Sequence, residues 1–206
     1  MMKTDRIQAF SDGIFSILIT ILVLEFKLPD GYVQGNLLQA VLQQWPTLVA
    51  YVMTFTYIGI LWLFHHDMFS CVQRIDARLN ILNLSSIFLI TLLNYSMSLL
   101  AESLVTLNTR DLQFALTFYA LLALGISMSY FAFYHYLAHK PSLLASSRYQ
   151  LQFRRLQRCP LLSSSIYFAA LLAANLKVYA GLIFLVAGIL FHGFAYWRAV
   201  RHTVTT

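Results

Sequence analysis

Long apolar segments with few or no charges, separated by short polar or charged connections, run along the whole chain. Six of them occur, over residues 7–26, 45–64, 79–101, 112–137, 159–176 and 178–197. Each is close to the length of about 20 residues at which a helix crosses the hydrocarbon core of a bilayer. The pattern predicts an all-α, polytopic membrane protein with six transmembrane helices. No linker or low-complexity tract interrupts it, so we expect residues 1–206 to form a single domain.

Composition and charge support the same class. The chain has 206 residues, of which 59% are hydrophobic and 11% charged, whereas soluble domains average about 25% charged residues. With six spans, eleven of the fourteen Lys and Arg residues fall on the side of the two termini. By the positive-inside rule, we expect both termini in the cytoplasm of a multi-pass plasma-membrane protein. Topology thus accounts for the net charge of +6, and no nucleic-acid partner is expected.

Two connections are long enough to carry structure of their own. Residues 35–44 alternate polar and apolar positions and could form a short helix at the outer interface. Residues 141–158 are basic but contain several Leu and one Phe, so they fit an interfacial cytoplasmic helix or a solvated basic loop equally well.

The first apolar segment contains only twelve uncharged residues between Asp12 and Glu25. Twelve helical residues cover roughly 18 Å, whereas the bilayer core is about 30 Å thick. Asp12 must therefore lie at or near membrane depth, where a carboxylate costs about 2.5–3.5 kcal/mol on insertion scales and needs a partner. The end of the second helix and the start of the third offer partners at this depth: Trp62, His65, His66, Arg78, Asn80 and Asn83.

The same helix carries an apolar stripe at spacings of three and four, formed by Ile17, Thr20 or Ile21, and Leu24. Such a stripe usually packs against lipid or another helix. Several copies around an axis would instead form rings of apolar side chains, which can act as a channel constriction.

Candidate metal or catalytic groups are sparse. His65 and His66 point about 100° apart on a helix, and the i, i+4 pair His135 and His139 has no carboxylate nearby in sequence. Cys71 and Cys159 are isolated and expected to be free thiols. We therefore expect no metal, no cofactor and no enzymatic activity.

Three motifs together resemble the transmembrane protein 175 family of potassium channels. They are R-x-x-x-F-S-D at Arg6, Phe10, Ser11 and Asp12, W-x-x-H-x-x-x-F at Trp62, His65 and Phe69, and Asn83 in the third helix. The resemblance covers the first three helices, whereas the last three match in number and hydrophobicity. Asn94 and Tyr95 stand where the family usually has a Pro-Phe or Pro-Tyr step.

The resemblance implies a homotetramer, embedded in the lipid bilayer, in which the first helix lines a central pore for potassium ions. Ile17, Ile21 and Leu24 would form the constriction, and Thr20 a pore-facing hydroxyl. A polar network would anchor the first helix against the second and third, with these members: Arg6, Phe10, Ser11, Asp12, Trp62, His65 and Asn83.

Two other functions remain open from the residues alone. One is a proton-coupled secondary transporter that uses Asp12 and His65 as a relay. The other is an intramembrane hydrolase that uses His65, His66 and Asp67. A pore on a symmetry axis needs several subunits, whereas a transporter can act as a monomer, and a hydrolase needs ligand-type residues converging from several helices.

Overall fold

The computed structural model describes residues 4–28 and 32–204 and consists almost entirely of helices. The α-helices are α1 (Thr4–Ile21), α2 (Leu37–Leu42), α3 (Trp45–Ser70), α4 (Ala77–Thr106), α5 (Thr109–Ala138), α6 (Arg148–Leu156), α7 (Arg158–Leu176) and α8 (Val178–Val204). Two 3-10 turns, Leu22–Glu25 and Pro141–Leu143, follow α1 and α5. In this part of the chain, the six helices α1, α3, α4, α5, α7 and α8 are long and apolar enough to span a membrane, which confirms the predicted fold class.

The spans are longer than the apolar segments predict. α3 continues to Ser70, six residues past the predicted end, and α4 continues to Thr106 without a break at Asn94. Polar residues at a membrane interface can remain helical because the helix satisfies their backbone hydrogen bonds internally. The apolar pattern therefore marks the membrane-embedded part of each helix and not its ends.

α5 lies at the centre of the bundle, in contact with α4, α6, α7 and α8. Its side chains Tyr119, Ala123, Ile126 and Phe133 are fully buried. α1 is peripheral: it packs on α3 and α4 through Ile7, Ser11, Phe15, Leu18 and Leu22, which recur at spacings of three and four residues. One side of α1 is thus committed to the bundle.

We call the end of the bundle at which α1 begins the N-terminal end. Two connections at this end are hydrogen-bonded to each other. The amide nitrogens of Gln73 and Arg74 donate to the carbonyl of Leu143, at 2.8 and 3.2 Å, and the amide of Ala145 donates to the carbonyl of Cys71 at 3.0 Å. Cys71 and Cys159 are free, as predicted, and burial raises the pKa of the Cys71 thiol. The connections from α3 to α4 and from α5 to α6 therefore form one fixed layer.

The remaining connections agree in part with expectation. Residues 35–44 contain the short helix α2, as the sequence suggests. Residues 141–158 contain α6, so this connection is a helix and not an irregular loop. α6 is anchored by Phe153, which is buried and stacks on Tyr134 with ring centroids 5.8 Å apart.

Candidate functional site

A buried hydrogen-bonded chain joins α1 to α3 and α4 near the N-terminal end. Asn83 of α4 donates from Nδ2 to Ser11 Oγ at 3.0 Å, and Ser11 in turn donates to the carbonyl of Ile7 at 2.9 Å. His65 of α3 donates from Nε2 to Asn83 Oδ1 at 2.8 Å. Ser11, His65 and Asn83 are all fully buried. One amide thus connects three helices, because an Asn side chain both donates and accepts.

Aromatic rings enclose the His65 side chain. It stacks on Phe69 with centroids 4.5 Å apart, and Phe15 of α1 and Phe133 of α5 lie at 5.3 and 6.4 Å. The spacing of four residues between His65 and Phe69 puts both on one face of α3. This enclosure fixes the imidazole so that Nε2 points at Asn83.

Asp12 belongs to a second, more exposed group on the adjacent face of α1. Trp62 donates from Nε1 to Asp12 Oδ1 at 2.8 Å, and His66 Nδ1 lies 3.5 Å from Asp12 Oδ2. The Asp12 side chain is 31% exposed and that of His66 is 44% exposed. Consecutive helical residues point about 100° apart, which explains why Ser11 enters the core while Asp12 lies at its rim.

The His66 side chain lies within reach of two residues of α1. Its Nδ1 lies 3.3 Å from Gln8 Nε2 as well as near Asp12. A single ring nitrogen cannot accept a proton from Gln8 and donate one to Asp12 at the same time. Nδ1 binds Gln8 as an acceptor when it carries no hydrogen and binds Asp12 as a donor when it does.

Two of the candidate partners, Trp62 and His66, contact Asp12. His65 and Asn83, also candidates, bind each other, and Asn83 binds Ser11. Arg6 is exposed and forms no hydrogen bond or ion pair within the described ranges 4–28 and 32–204. It is six residues from Asp12, a spacing that does not share one helical face. Phe10 is 52% exposed and also points away from the network.

Sequence reasoning proposed His66 only as one of several partners and did not propose Gln8. The spacing of both residues in the sequence nevertheless indicates that they belong to this group. His66 lies four residues after Trp62, and Gln8 lies four residues before Asp12, so each pair shares a helical face.

The side of α1 that faces away from α3 and α4 is open. Ile17, Ile21 and Leu24 are 59%, 39% and 66% exposed, and Thr20 is exposed beside them. The Thr20 hydroxyl donates to the carbonyls of Ser16 and Ile17, at 3.0 and 2.9 Å, so only its oxygen lone pairs remain to face outward. The four residues predicted to line a pore thus share one unpartnered face of the chain.

The far end of α1, opposite the N-terminal end, opens on a cleft of about 910 Å³ between α1, α3 and α4. Glu25, Lys27 and Glu102 contribute charged groups to its lining. Ser98 donates to Glu25 Oε2 at 2.7 Å and ties the end of α1 to α4. Both ends of α1 are therefore held by side-chain hydrogen bonds.

Among the residues whose side chains the structure describes, no cluster of three or more His, Cys, Asp or Glu could hold a metal ion. His135 and His139 stack with centroids 4.4 Å apart, and His139 Nδ1 lies 2.7 Å from the carbonyl of His135. The ring nitrogen is therefore engaged by the backbone of its own helix.

Fold and site define a multi-pass, six-helix membrane protein in which one side of α1 has no packing partner within the described residues. A family model described as "Endosomal/lysosomal potassium channel TMEM175" matches residues 6–93. A potassium channel of Streptomyces collinus is 36% identical over 137 residues, 66% of this chain and 66% of that protein. One of Chamaesiphon minutus is 35% identical over 145 residues, 69% of this chain and 70% of that protein.

The crystal structure of a TMEM175 homologue from Chamaesiphon minutus, described as a lysosomal potassium-selective channel, superposes with a TM-score of 0.80 at 25% identity. The superposition covers 94% of this chain and 97% of that one. The chain belongs to the TMEM175 family, as the three motifs predict. Because these relatives are named as channels, the hydrolase hypothesis has no support.

Proposed function

We propose that this protein is a potassium-permeable channel whose pore is lined by the open face of α1. The observation that carries the proposal is the unpartnered stripe of Ile17, Thr20, Ile21 and Leu24 in a chain whose relatives are named potassium channels. A single stripe cannot enclose a pore, and cyclic assembly is the usual closed arrangement of identical subunits. Four copies around one axis, as the family resemblance implies, would bring the open faces together.

In such a tetramer, rings of Ile17, Ile21 and Leu24 form an apolar neck. An ion must shed part of its hydration shell to pass a narrow apolar ring. Potassium loses water more readily than sodium, so the neck favours potassium without a filter of backbone carbonyls. The expected selectivity is modest, because no ring of fixed ligands replaces the lost water.

The polar groups of α1 then act as anchors. The open face lacks packing partners inside the subunit, so the position of α1 depends on its contacts with α3 and α4. The bonds of Ser11 with Asn83 and of Asp12 with Trp62 fix the helix near one end of the pore. A relay between Asp12 and His65 is less well supported, because His65 binds Asn83.

The orientation follows from charge. The N-terminal end of the bundle carries most of the Lys and Arg residues, so we place it, with both termini, in the cytoplasm of a prokaryotic cell whose plasma membrane holds the tetramer.

The test is a recording from purified protein in a planar bilayer, with potassium on one side and sodium on the other and protein-free bilayers as the control. We expect discrete single-channel currents with a reversal potential that favours potassium, and a tetramer by native mass spectrometry. Electroneutral, proton-dependent uptake by a monomer would refute the channel and support the transporter.

A further inference from the structure

The N-terminal end of the bundle carries a fixed cationic surface that the proposed pore does not use. It consists of Arg148, Leu151, Arg154 and Arg155 on α6, Arg158 on α7 and Arg198 on α8, all exposed. We call this set the basic corner. α6 and α8 meet at a cavity of about 60 Å³ lined by Phe153 and Leu156 of one and Tyr196 and Ala199 of the other. The six side chains therefore belong to one corner of the molecule.

The basic corner is rigidly held. Phe153 is buried against Tyr134, and Gln150 donates from Nε2 to the carbonyl of Ala138 at 3.0 Å. The fixed layer formed by the two connections, described above, supports the start of α6. The guanidinium groups of α6 are thus displayed from an ordered helix, which reduces the ordering cost of binding.

The protein supplies almost no negative charge to this corner. After Asp111 the chain has no Asp or Glu, although it has eight Lys and Arg residues. One carboxylate, that of Asp67 of α3, lines the cavity beneath α6, together with Tyr196. Within residues 4–28 and 32–204, none of the five arginines forms an ion pair. The described part of the chain therefore leaves the five cations without a bound counter-charge.

Local helix electrostatics do not explain this arrangement. Arg154 and Arg155 lie in the last turn of α6, where the helix dipole favours cations. Arg148 and Arg158, however, lie in the first turns of α6 and α7, where the dipole disfavours them. Arg148 lies over the ring of Tyr149 and donates to its hydroxyl at 3.4 Å, but neither Arg148 nor Arg158 has an anionic partner among the described residues.

The apolar neighbours identify the kind of anion. Leu151 is 56% exposed between the arginines on the outer face of α6, an unfavourable position for a helix in water. Leu161 and Leu162 on α7 and Phe194 and Trp197 on α8 are exposed a turn or so further into the spans. Cations at the rim with exposed apolar and Trp side chains beside them match an interfacial membrane surface.

We propose that the basic corner binds the phosphate headgroups of anionic phospholipids, with Leu151 inserted at the level of the glycerol backbone. The arginines provide charge-assisted, bidentate donors for phosphate oxygens. Neighbouring Leu, Phe and Trp side chains contact the acyl chains. The site requires only that this end of the bundle meets a leaflet, so it does not depend on ion permeation.

The test measures the thermal stability of the purified protein in detergent during titration with dioleoylphosphatidylglycerol or dioleoylphosphatidylcholine. The test variant is Arg154→Gln/Arg155→Gln/Arg158→Gln. The matched control is Lys27→Gln/Arg110→Gln/Lys177→Gln, which removes the same charge from the opposite end of the bundle. We expect phosphatidylglycerol, but not phosphatidylcholine, to raise the melting temperature of wild type and control. The half-saturating concentration should rise by on the order of a hundredfold in the test variant.

Three results would overturn the proposal: equal stabilisation by both lipids, an unchanged response of the test variant, or an equal loss in test and control. A wild-type protein that prefers a single-stranded oligonucleotide or an acidic peptide to phosphatidylglycerol would also overturn it. If the triple variant elutes as an aggregate, Arg155→Gln alone should raise the half-saturating concentration about fivefold, and no rise refutes the site.

Discussion

The helices α1 and α8 both expose a face along their length, but the two faces differ in chemistry. The exposed face of α8 carries Ile183, Leu190, Phe194 and Trp197. It is aliphatic in the middle of the span and aromatic towards the N-terminal end of the bundle, where α8 ends. This is the pattern of a lipid-facing helix. The exposed face of α1 intersperses Gly13, Ser16 and Thr20 with Ile17 and Ile21. Exposure alone therefore does not indicate a pore, whereas small and hydroxyl-bearing side chains among the isoleucines set α1 apart.

The two helices are also held differently. A Cβ atom added at Gly188 of α8 would overlap a ring carbon of Tyr167 in α7, and one at Gly181 would lie 2.6 Å from Cα of Ala174. This close approach of the two helices leaves α8 little room to move against α7. On α1, a Cβ atom added at Gly13 would meet nothing within 4 Å, so this helix is held by its buried apolar side and by polar contacts at both ends and not by close backbone approach.

The largest effect should come from Asn83→Ala, because Asn83 is the amide on which α1, α3 and α4 converge. The change leaves the buried His65 Nε2–H without an acceptor and opens a small cavity. We expect a loss of about 2–4 kcal/mol in the free energy of unfolding. Thermal and denaturant melts measure it. The control is Asn94→Ala in the same helix, because the Asn94 amide has no hydrogen-bond partner among the described residues. Equal losses at the two positions would contradict the anchor.

Gly188→Ala should destabilise the packing of α8 on α7. The added methyl group overlaps the Tyr167 ring, whose hydroxyl lies 3.2 Å from His192 Nδ1, so the ring has little freedom to move. The expected cost is about 1–3 kcal/mol. Gly59→Ala, where the space around an added Cβ is open, should be neutral or stabilising. A Gly188→Ala protein that melts like wild type would show that α8 is not locked in this way.

Asp12→Ala should cost about 1–2 kcal/mol, because Trp62 Nε1 and His66 lose their acceptor at a partly exposed site. Asp12→Asn retains an oxygen for Trp62 and should lose less stability while keeping ion flux. Size-exclusion chromatography, thermal melts and liposome flux separate the two roles of Asp12. If Asp12→Asn leaves assembly intact but abolishes flux and its pH dependence, Asp12 is a relay and not an anchor.

The number of spans could be predicted from the sequence because the length of an apolar segment is a direct physical requirement of the bilayer. Which of the six candidate partners meet Asp12 could not be predicted, because that depends on how α1 is rotated and raised against α3. Trp62, His65 and His66 lie within five residues of one another, and a rotation of one residue exchanges which of them meets Asp12 and which meets Asn83. Similarly, the central position of α5 and the peripheral position of α1 are set by tertiary packing, since both read as apolar spans.

If the open face of α1 lines the permeation path, Ile17→Asn should change the reversal potential measured with potassium on one side of the bilayer and sodium on the other. The matched control is Ile183→Asn, an exposed isoleucine on the lipid-like face of α8. We predict that Ile17→Asn widens and wets the neck and shifts the reversal potential towards higher sodium permeability, while Ile183→Asn leaves it at the wild-type value. An unchanged reversal potential for asparagine at Ile17, Ile21 and Leu24 alike would show that this face does not line the permeation path.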